Sequence, residues 1–516
     1  MKLSKENIIY IYFLYTFVLN LFAIKDFIYA IGPALLFVLL LYIFSKLPNI
    51  LFKTVLSILL LLSSISIFFK WQYGAVITDD IVLSIFINKA SLSLEMLNSS
   101  LIIWLIFTAI IPIILLFKIE ITKGVSFKRL GVVSITLLLL ISVWIKAIGF
   151  EFKKKGEIRD PKLALAVNNF SPDDTLLAIQ KATKAYKRMK RQYSHIKELT
   201  SHYNYALKEE NLTVVFVIGE SSRGDHFSLN GYKRNTTPNL EKVDNLINFS
   251  NVTSCDTITG RSLPCLLSPL KMAQSSRIPT QGSFVKIFKK LGFYTSIYSL
   301  QGLNTLYNYM GYDKLVTKYA IIQKAKTGTK DMSLLPFAKE AIEDTKHANK
   351  LIILHTLGSH YNYQDRVAKS QEIFKPICKK SNIKSCTQQE VLNSYDNTIV
   401  AIDQFLNNLI KMLKDKKAIL IYTSDHGESL GKSGIYFHGM PIDRAPKEQR
   451  DVPMMFWFSN SYKTSKNGKK LFSSIKKINP NAPLSHDYIF DSILGCSSIY
   501  SKNGGVDKKY NLCQER

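Results

Sequence analysis

Five apolar runs, near residues 7–24, 28–46, 50–69, 100–118 and 131–149, crowd the first 150 residues of the chain. Segments such as Gly32 to Ile43 and Thr54 to Phe69 carry no charge at all. A helix of about 20 residues crosses a hydrocarbon core of about 30 Å, so each run is long enough to span a bilayer. The spacing predicts an α-helical membrane domain of five transmembrane helices over 1–150. After Phe150 the sequence turns mixed, with charges, Gly and Pro scattered through it. A chain of 516 residues also exceeds what one core usually holds, so at least two folding units are expected.

Orientation follows from the short loops. Lys2, Lys5, Lys46, Lys53, Lys118, Lys123, Lys128 and Arg129 fall on one side of the five runs, and Lys25, Lys70 and Lys89 on the other. This excess puts the N-terminus in the cytoplasm and, after five crossings, everything past residue 150 outside. The first run has lysines before it but no small-residue cleavage site ahead of Lys25 and Asp26, so it reads as a retained helix rather than a signal peptide.

All six cysteines lie beyond residue 250, as Cys255 and Cys265, Cys378 and Cys386, and Cys496 and Cys513. Sequential close pairs read as local disulfides in an oxidising compartment. None has a CxxC spacing, which argues against a structural metal site built on them. The formal charge is +28, of which +6 falls in residues 1–150 and +22 in the rest. Such a balance suits nucleic acid, an anionic lipid surface or a phosphorylated substrate, and the anchor selects the membrane and excludes nucleic acid. Residues 151–210 read as a bridge. Asp173 and Asp174 open a basic amphipathic helix through Leu176 to Lys197, suited to anionic headgroups or to a solvated linker.

From residue 211 to 516, strand-like and helix-like runs alternate, predicting an α/β domain with a central, mostly parallel sheet. Leu212 to Ile218 ends in Gly219-Glu220, Leu351 to Leu354 in His355-Thr356-Leu357-Gly358-Ser359-His360, and Ala418 to Tyr422 in Thr423-Ser424-Asp425-His426-Gly427. Ligands of open α/β sheets bind at that carboxyl edge. Imidazole nitrogen and carboxylate oxygen gathered there suit zinc, and a catalytic zinc keeps one position open. A further segment, Ser254-Cys255-Asp256-Thr257-Ile258-Thr259-Gly260-Arg261-Ser262-Leu263-Pro264-Cys265, offers hydroxyls inside a disulfide-closed loop. A helix expected over Leu263 to Leu270 would turn its N-terminus toward a phosphate. On these residues alone Ser254, Thr257, Thr259 and Ser262 remain equal candidates for a nucleophile.

These segments resemble the lipid A phosphoethanolamine transferases, the family of the mobile colistin-resistance enzymes. The likeness rests on Gly219 to Tyr232, the Cys255 to Cys265 loop, Leu354 to His360, Tyr395-Asp396-Asn397-Thr398, Ser424 to Gly431 and Gly434 to Gly439. It implies an alkaline-phosphatase/sulfatase-like fold, with Glu220, Thr259, Asp425 and His426 as ligands of one principal zinc and Thr259 as nucleophile. His360 and His438 match two histidines near the phosphate, as ligands of a second metal or as proton donors. The implied reaction moves phosphoethanolamine from phosphatidylethanolamine to lipid A or another lipopolysaccharide acceptor at the bacterial inner membrane, with the catalytic domain periplasmic and diacylglycerol released. The chain departs from the family after the strand expected at Phe293 to Tyr298, where no cysteine pair occurs. Asn304 and Lys314 stand there as candidate headgroup residues.

Other readings fit less well. A phosphoglycerol transferase of the lipoteichoic-acid-synthase kind would not explain the disulfide loop or the Ser424 to Gly431 block. Among hydrolases, a sulfatase needs a modifiable residue in a CxPxR-like setting, which Pro264-Cys265-Leu266 does not provide. A transporter would be expected to carry ionisable residues inside its spans.

Overall fold

The computed structural model describes residues 1–24, 27–87, 99–154, 170–193, 196, 199, 202–206, 211–273, 282–301, 307–325, 330–380 and 382–514. The chain divides into two compact units, residues 1–82 with 96–184, and residues 83–95 with 185–516.

In the first unit the apolar runs fold as helices. Four of them, Phe27–Phe44, Asn49–Tyr73, Ser99–Lys118 and Phe127–Gly149, are long and apolar enough to cross a membrane. The expected first span is shorter: Lys5–Asn20 has 16 residues, a rise of about 24 Å. It stops where Asn20 turns its side chain amide to the Thr16 carbonyl and to the backbone of Ser171. That helix nonetheless runs from one end of the unit to the other. At its start Lys5 Nζ caps the Ser45 and Leu47 carbonyls, and midway Tyr12 donates to Leu56 O. Buried Ile9, Phe37, Leu41, Phe52 and Leu56 form the interior. Leu14, Phe107, Ile135 and Val143 point outward at 63–66 % exposure, an arrangement that suits hydrocarbon rather than water.

The two ends of this unit differ in charge. Lys2–Leu3 pairs in parallel with Glu120–Ile121, Lys46 Nζ bonds Val125 O, and Lys53 Nζ bonds Ile119 O. These contacts gather the lysine-rich loops at one end, as the loop-charge argument requires. At the other, Lys70 forms a buried ion pair with Asp174 and donates to Ser171 Oγ at 2.9 Å. Ser171 Oγ also bonds Ser66 Oγ at 2.9 Å, so the start of the Asp173–Tyr193 helix is tied to the apolar bundle.

The second unit is built on a seven-stranded sheet. In chain order its strands are β1 Leu212–Gly219, β2 Leu246–Phe249, β3 Tyr294–Ser299, β4 Lys314–Val316, β5 Lys350–His355, β6 Lys417–Ser424 and β7 Met454–Phe458. Their spatial order is β2-β7-β6-β1-β5-β3-β4. The five strands from β6 to β4 are parallel, and β7 and β2 continue antiparallel at one side. All eight residues of β1 are buried, as expected of a strand covered on both faces. Register then decides where chemistry can occur. Ser424 lies opposite Gly219, and His355 lies opposite both Ile218 and Ser299, so four strands end side by side and release their next residues at one edge.

The longest helix of this unit, Gln388–Leu413, opens with a capping box in which Thr387 Oγ1 accepts from Glu390 N and the Glu390 carboxylate accepts from Thr387 N. All three cysteine pairs are bonded: Cys255–Cys265, Cys378–Cys386 and Cys496–Cys513.

The Lys70–Asp174 pair yields a prediction. Asp174→Ala leaves a buried ammonium without its partner, a change that costs about 3–5 kcal/mol in such settings. The double variant Lys70→Met, Asp174→Leu removes both charges and should recover most of that loss. Thermal unfolding of the detergent-solubilised protein measures both; equal destabilisation of single and double variants would show the pair is not coupled.

Candidate active site

The edge of the sheet turns sharply after β1. Ser221 adopts φ 56°, a left-handed conformation, and Glu220 is thereby turned inward, 1 % exposed. The turn is held from three sides. Tyr395 of the long helix donates to Ser221 O at 2.7 Å and accepts from Arg223 N at 2.9 Å. Ser222 N bonds Ser424 Oγ at 2.8 Å, and Ser359 N bonds Glu220 O at 2.8 Å. Gly358 is required here, because with φ 47° a Cβ would stand 2.5 Å from Glu220 O.

The segment between Cys255 and Cys265 differs from expectation in one respect. Its helix runs Thr259–Leu267, starting four residues earlier than predicted and enclosing Pro264. The early start has a local cause: Ser262 Oγ accepts from Asp256 N at 3.1 Å and donates to Asp256 O at 3.2 Å, folding the loop back on the first turn. Thr259 is therefore the first helical residue, 7 % exposed, with its hydroxyl donating to Glu220 Oε2 at 3.1 Å and 3.4 Å from His426 Nε2. Thr257 instead donates to Met440 O, and Ser254 to Asp256 O. Of the four hydroxyls in the loop, these bonds bring only Thr259 to the carboxylate and imidazole at the sheet edge.

Around Thr259, His426 Nε2 lies 3.4 Å from Glu220 Oε1 and 3.3 Å from Asp425 Oδ2. His426 Nδ1 lies 2.9 Å from Gly427 O. A carbonyl only accepts, so Nδ1 carries a ring proton, and in the neutral ring Nε2 turns its lone pair toward the carboxylates. Asp425 Oδ2 is buried without a hydrogen-bond partner. Lone pair facing lone pair in a dry site is the chemistry of a donor set for a cation, and N/O donors of this type fit zinc. Burial, then the neighbouring Asp425, pushes the Glu220 carboxyl well above the usual range, the cost that a bound cation would offset.

Two further histidines converge on the same place. Glu220, His426 and His438 each offer a ligand atom within 4.8 Å of the others. His438 Nδ1 meets Glu428 Oε2 at 2.6 Å, and Tyr363 donates to Glu428 Oε1 at 2.9 Å. Burial pushes Glu428 up to about 8 and His438 well below its usual value. His360 donates from Nδ1 to Tyr361 O at 3.1 Å, and its ring centre lies 6.0 Å from that of His438. Glu220, Thr259, Asp425, His426, His360 and His438 are thus brought together from separate segments.

Lys314 is not among them. It sits on β4, with Nζ 3.3 Å from Glu340 and 5.6 Å from the centre of the Tyr298 ring, because β4 is the outermost strand on that side of the sheet. Asn304 lies outside the described residues. Three residues earlier in the chain is a residue that motif reading missed: Gln301 Nε2 donates to Glu220 Oε2 and to Thr356 O, both at 3.0 Å. Its only signal in the sequence was its position just past a strand end. His355 likewise joins the site's wall, its Nδ1 bonded to Tyr307 Oη.

A family model described as Sulfatase matches residues 212–499, which contain the whole cluster. One described as Phosphoethanolamine transferase EptA/EptB matches residues 34–155. The Kdo(2)-lipid A phosphoethanolamine 7''-transferase of Escherichia coli strain K12 is 30% identical over 480 residues, covering 89% of this chain and 84% of that protein. The chain belongs to the phosphoethanolamine transferase family. The phosphatidylethanolamine transferase Mcr-1 of Escherichia coli is 31% identical over 437 residues, 78% of each chain. The solved lipooligosaccharide phosphoethanolamine transferase A of Neisseria meningitidis shares the fold over 97% of both chains, with TM-score 0.81 at 21% identity. With four helices long and apolar enough to cross a membrane and the EptA/EptB match over residues 34–155, this transferase is an integral membrane enzyme.

Its catalytic unit should be acid-sensitive. Burial holds His355 down to about 3 and His486 to about 4, whereas an unfolded histidine titrates near 6.5. Below about 6.5 the unfolded chain takes up protons that the folded one refuses, so stability present above that pH declines as pH falls toward 4. Each histidine contributes about 2 kcal/mol of loss between pH 7.5 and 5. Melting curves at pH 7.5 and 5.0 should show the drop, and His355→Asn should shrink it; an unchanged slope would mean His355 is not buried neutral.

Proposed function

We propose that this transferase takes phosphoethanolamine from phosphatidylethanolamine onto Thr259, releases diacylglycerol, and passes the group to a phosphate of lipid A or a neighbouring lipopolysaccharide acceptor. The observation that carries the reading is the Thr259 hydroxyl, 3.1 Å from Glu220 Oε2 at a helix N-terminus beside an unsatisfied donor set.

In the first displacement Thr259 Oγ bonds to phosphorus as the bond from phosphorus to the diacylglycerol oxygen breaks. Glu220 orients the hydroxyl through the hydrogen bond it accepts and draws off its proton. Glu220 is itself held in place by Ser221 Oγ at 2.7 Å and Gln301 Nε2 at 3.0 Å. The leaving oxygen takes a proton from His438. With Glu428 raised to about 8, the Glu428–His438 pair holds two protons at neutral pH, one between Nδ1 and the carboxylate and one on Nε2. His360 stands beside it as a second imidazole. In the second displacement an acceptor oxygen bonds to phosphorus and gives its proton to His438, the Thr259 Oγ–phosphorus bond breaks, and Glu220 returns to Oγ the proton it took, so the enzyme ends as it began. Glu220, Thr259, Asp425 and His426 would hold one zinc ion, with His438 and His360 near a second cation position. When bound, zinc supplies Lewis acidity that lowers the hydroxyl's pKa and offsets charge on the phosphoryl oxygens.

We place the enzyme in the bacterial inner membrane with residues 185–516 on the periplasmic side. The clustering of lysines at one end of the helical unit and three disulfides past residue 250 support that orientation. It requires the end-to-end Lys5–Asn20 helix to cross together with the four longer ones.

Intact mass spectrometry of the detergent-solubilised protein after incubation with phosphatidylethanolamine tests the mechanism. Wild type should gain the mass of one phosphoethanolamine, mapping to Thr259, and Thr259→Ala should gain none and lose transfer by at least roughly 10³-fold. Turnover in Thr259→Ala with normal metal content would overturn the assignment.

A further inference from the structure

Two segments of the site come from distant parts of the chain and must keep a fixed separation: the loop that carries Thr259 and the strand end that carries Asp425 and His426. Hydrogen bonds to one imidazole join them. Leu484–Ser485 pairs in parallel with Val252–Thr253, with Ser485 opposite Thr253, so the chain after each strand emerges at the same place. There Cys255 N donates to His486 Nδ1 at 3.1 Å, and His486 Nε2 donates to Ser424 O at 2.9 Å. Both Cys255 and His486 are wholly buried.

A backbone amide can only donate and a carbonyl can only accept. The neutral imidazole protonated on Nε2 is therefore the one form that satisfies both partners. Ser424 immediately precedes Asp425, and Cys255 is bonded through its sulfur to Cys265 inside the Thr259 helix. The chain after His486 holds the segment that follows the same helix. Asp487 Oδ1 accepts from Met272 N at 2.6 Å, while Lys271 Nζ bonds Asp487 O and Asp491 Oδ2, each at 2.7 Å. The Thr259 segment is thus gripped before its first turn and after its last by residues 486–491.

We infer that His486 is a positioning residue for transfer, its ring setting the distance between the Thr259 loop and the strand end that bears Asp425 and His426. The inference rests on the reading of Thr259 as nucleophile. His486 touches no reacting atom and acts through the backbone of Cys255 and Ser424. Near-attack geometry is steep, and a misplacement of about 1 Å can lower rate about 10²-fold.

The test uses the full-length protein in detergent with phosphatidylethanolamine as donor. His486→Phe keeps a ring of similar size and removes both hydrogen bonds. It should lower kcat roughly 10- to 100-fold with KM within about twofold, slow formation of the Thr259 adduct to the same degree, and leave zinc content unchanged. His486→Asn, which retains an acceptor for Cys255 N, and His486→Gln, which can reach Ser424 O, should each restore part of kcat. A His486→Phe enzyme with wild-type kcat overturns the inference, as does a rate loss that only follows lost zinc. If the Phe variant does not fold, wild-type kcat in both the Asn and Gln variants overturns it equally. Thr259→Ala is run beside them: turnover there sinks the nucleophile reading itself, whereas its inactivity beside a fully active His486→Phe sinks only the role of His486.

Discussion

Two carboxylates, Glu220 and Asp425, are buried next to each other at the ends of adjacent parallel strands, and the rest of the catalytic unit is organised around that cost. An isolated carboxylate in a dry interior is strongly disfavoured, and a pair more so. The neighbours answer in part. Glu220 accepts from Ser221, Thr259 and Gln301, and Asp425 Oδ1 accepts from the Ser221 and His426 amides. Asp425 Oδ2 and the lone pair of His426 Nε2 are left facing inward. This residual demand for positive charge makes the site a candidate place for a cation.

The histidines follow one rule. In His426 and His360, Nδ1 is bound to a backbone carbonyl, and in His438 it meets the Glu428 carboxylate. A ring whose Nδ1 is so engaged is fixed in orientation, and its Nε2 is free for the site. The surrounding turns are equally constrained. Asp331 accepts from Leu357 N and Gly358 N, Arg366 donates to the His360 carbonyl, and Gly358 leaves room for the Glu220 backbone. Strain at Ser221 is held by Tyr395, a residue that belongs to a helix far along the chain. Positioning here is a property of crossed segments rather than of any one loop.

In the helical unit the organising interaction is different. There, lysines at one end cap the carbonyls of neighbouring loops, and at the other end Lys70, Asp174, Ser171 and Asn20 satisfy one another. Between the two polar ends the side chains are mostly apolar on both the packed and the exposed faces, and buried hydroxyls such as Ser63 and Thr108 donate to carbonyls of their own helices. A bundle of this kind is stable only where its outer surface is not in water, and its polar groups are accordingly drawn to its ends.

The amino-acid sequence by itself determined the class of each unit and most of the chemistry. Uninterrupted apolar runs leave few options but membrane helices, paired cysteines in an oxidising compartment bond locally, and apolar strands ending in Glu220, His355 and Asp425 announce the reactive edge. These are short-range signals, carried by composition and spacing. What the tertiary structure decided depended on register and packing. It set which of four hydroxyls in the disulfide loop reaches Glu220, a choice made by the backfolding of Ser262 onto Asp256 and an earlier helix start. It set Lys314 on β4, the outermost strand on that side of the sheet, rather than among the residues gathered around Thr259. It also brought in Gln301, Tyr363 and His486, none of which sits in a recognisable motif, because hydrogen-bond partners 62 to 231 residues apart cannot be read from neighbours in the chain.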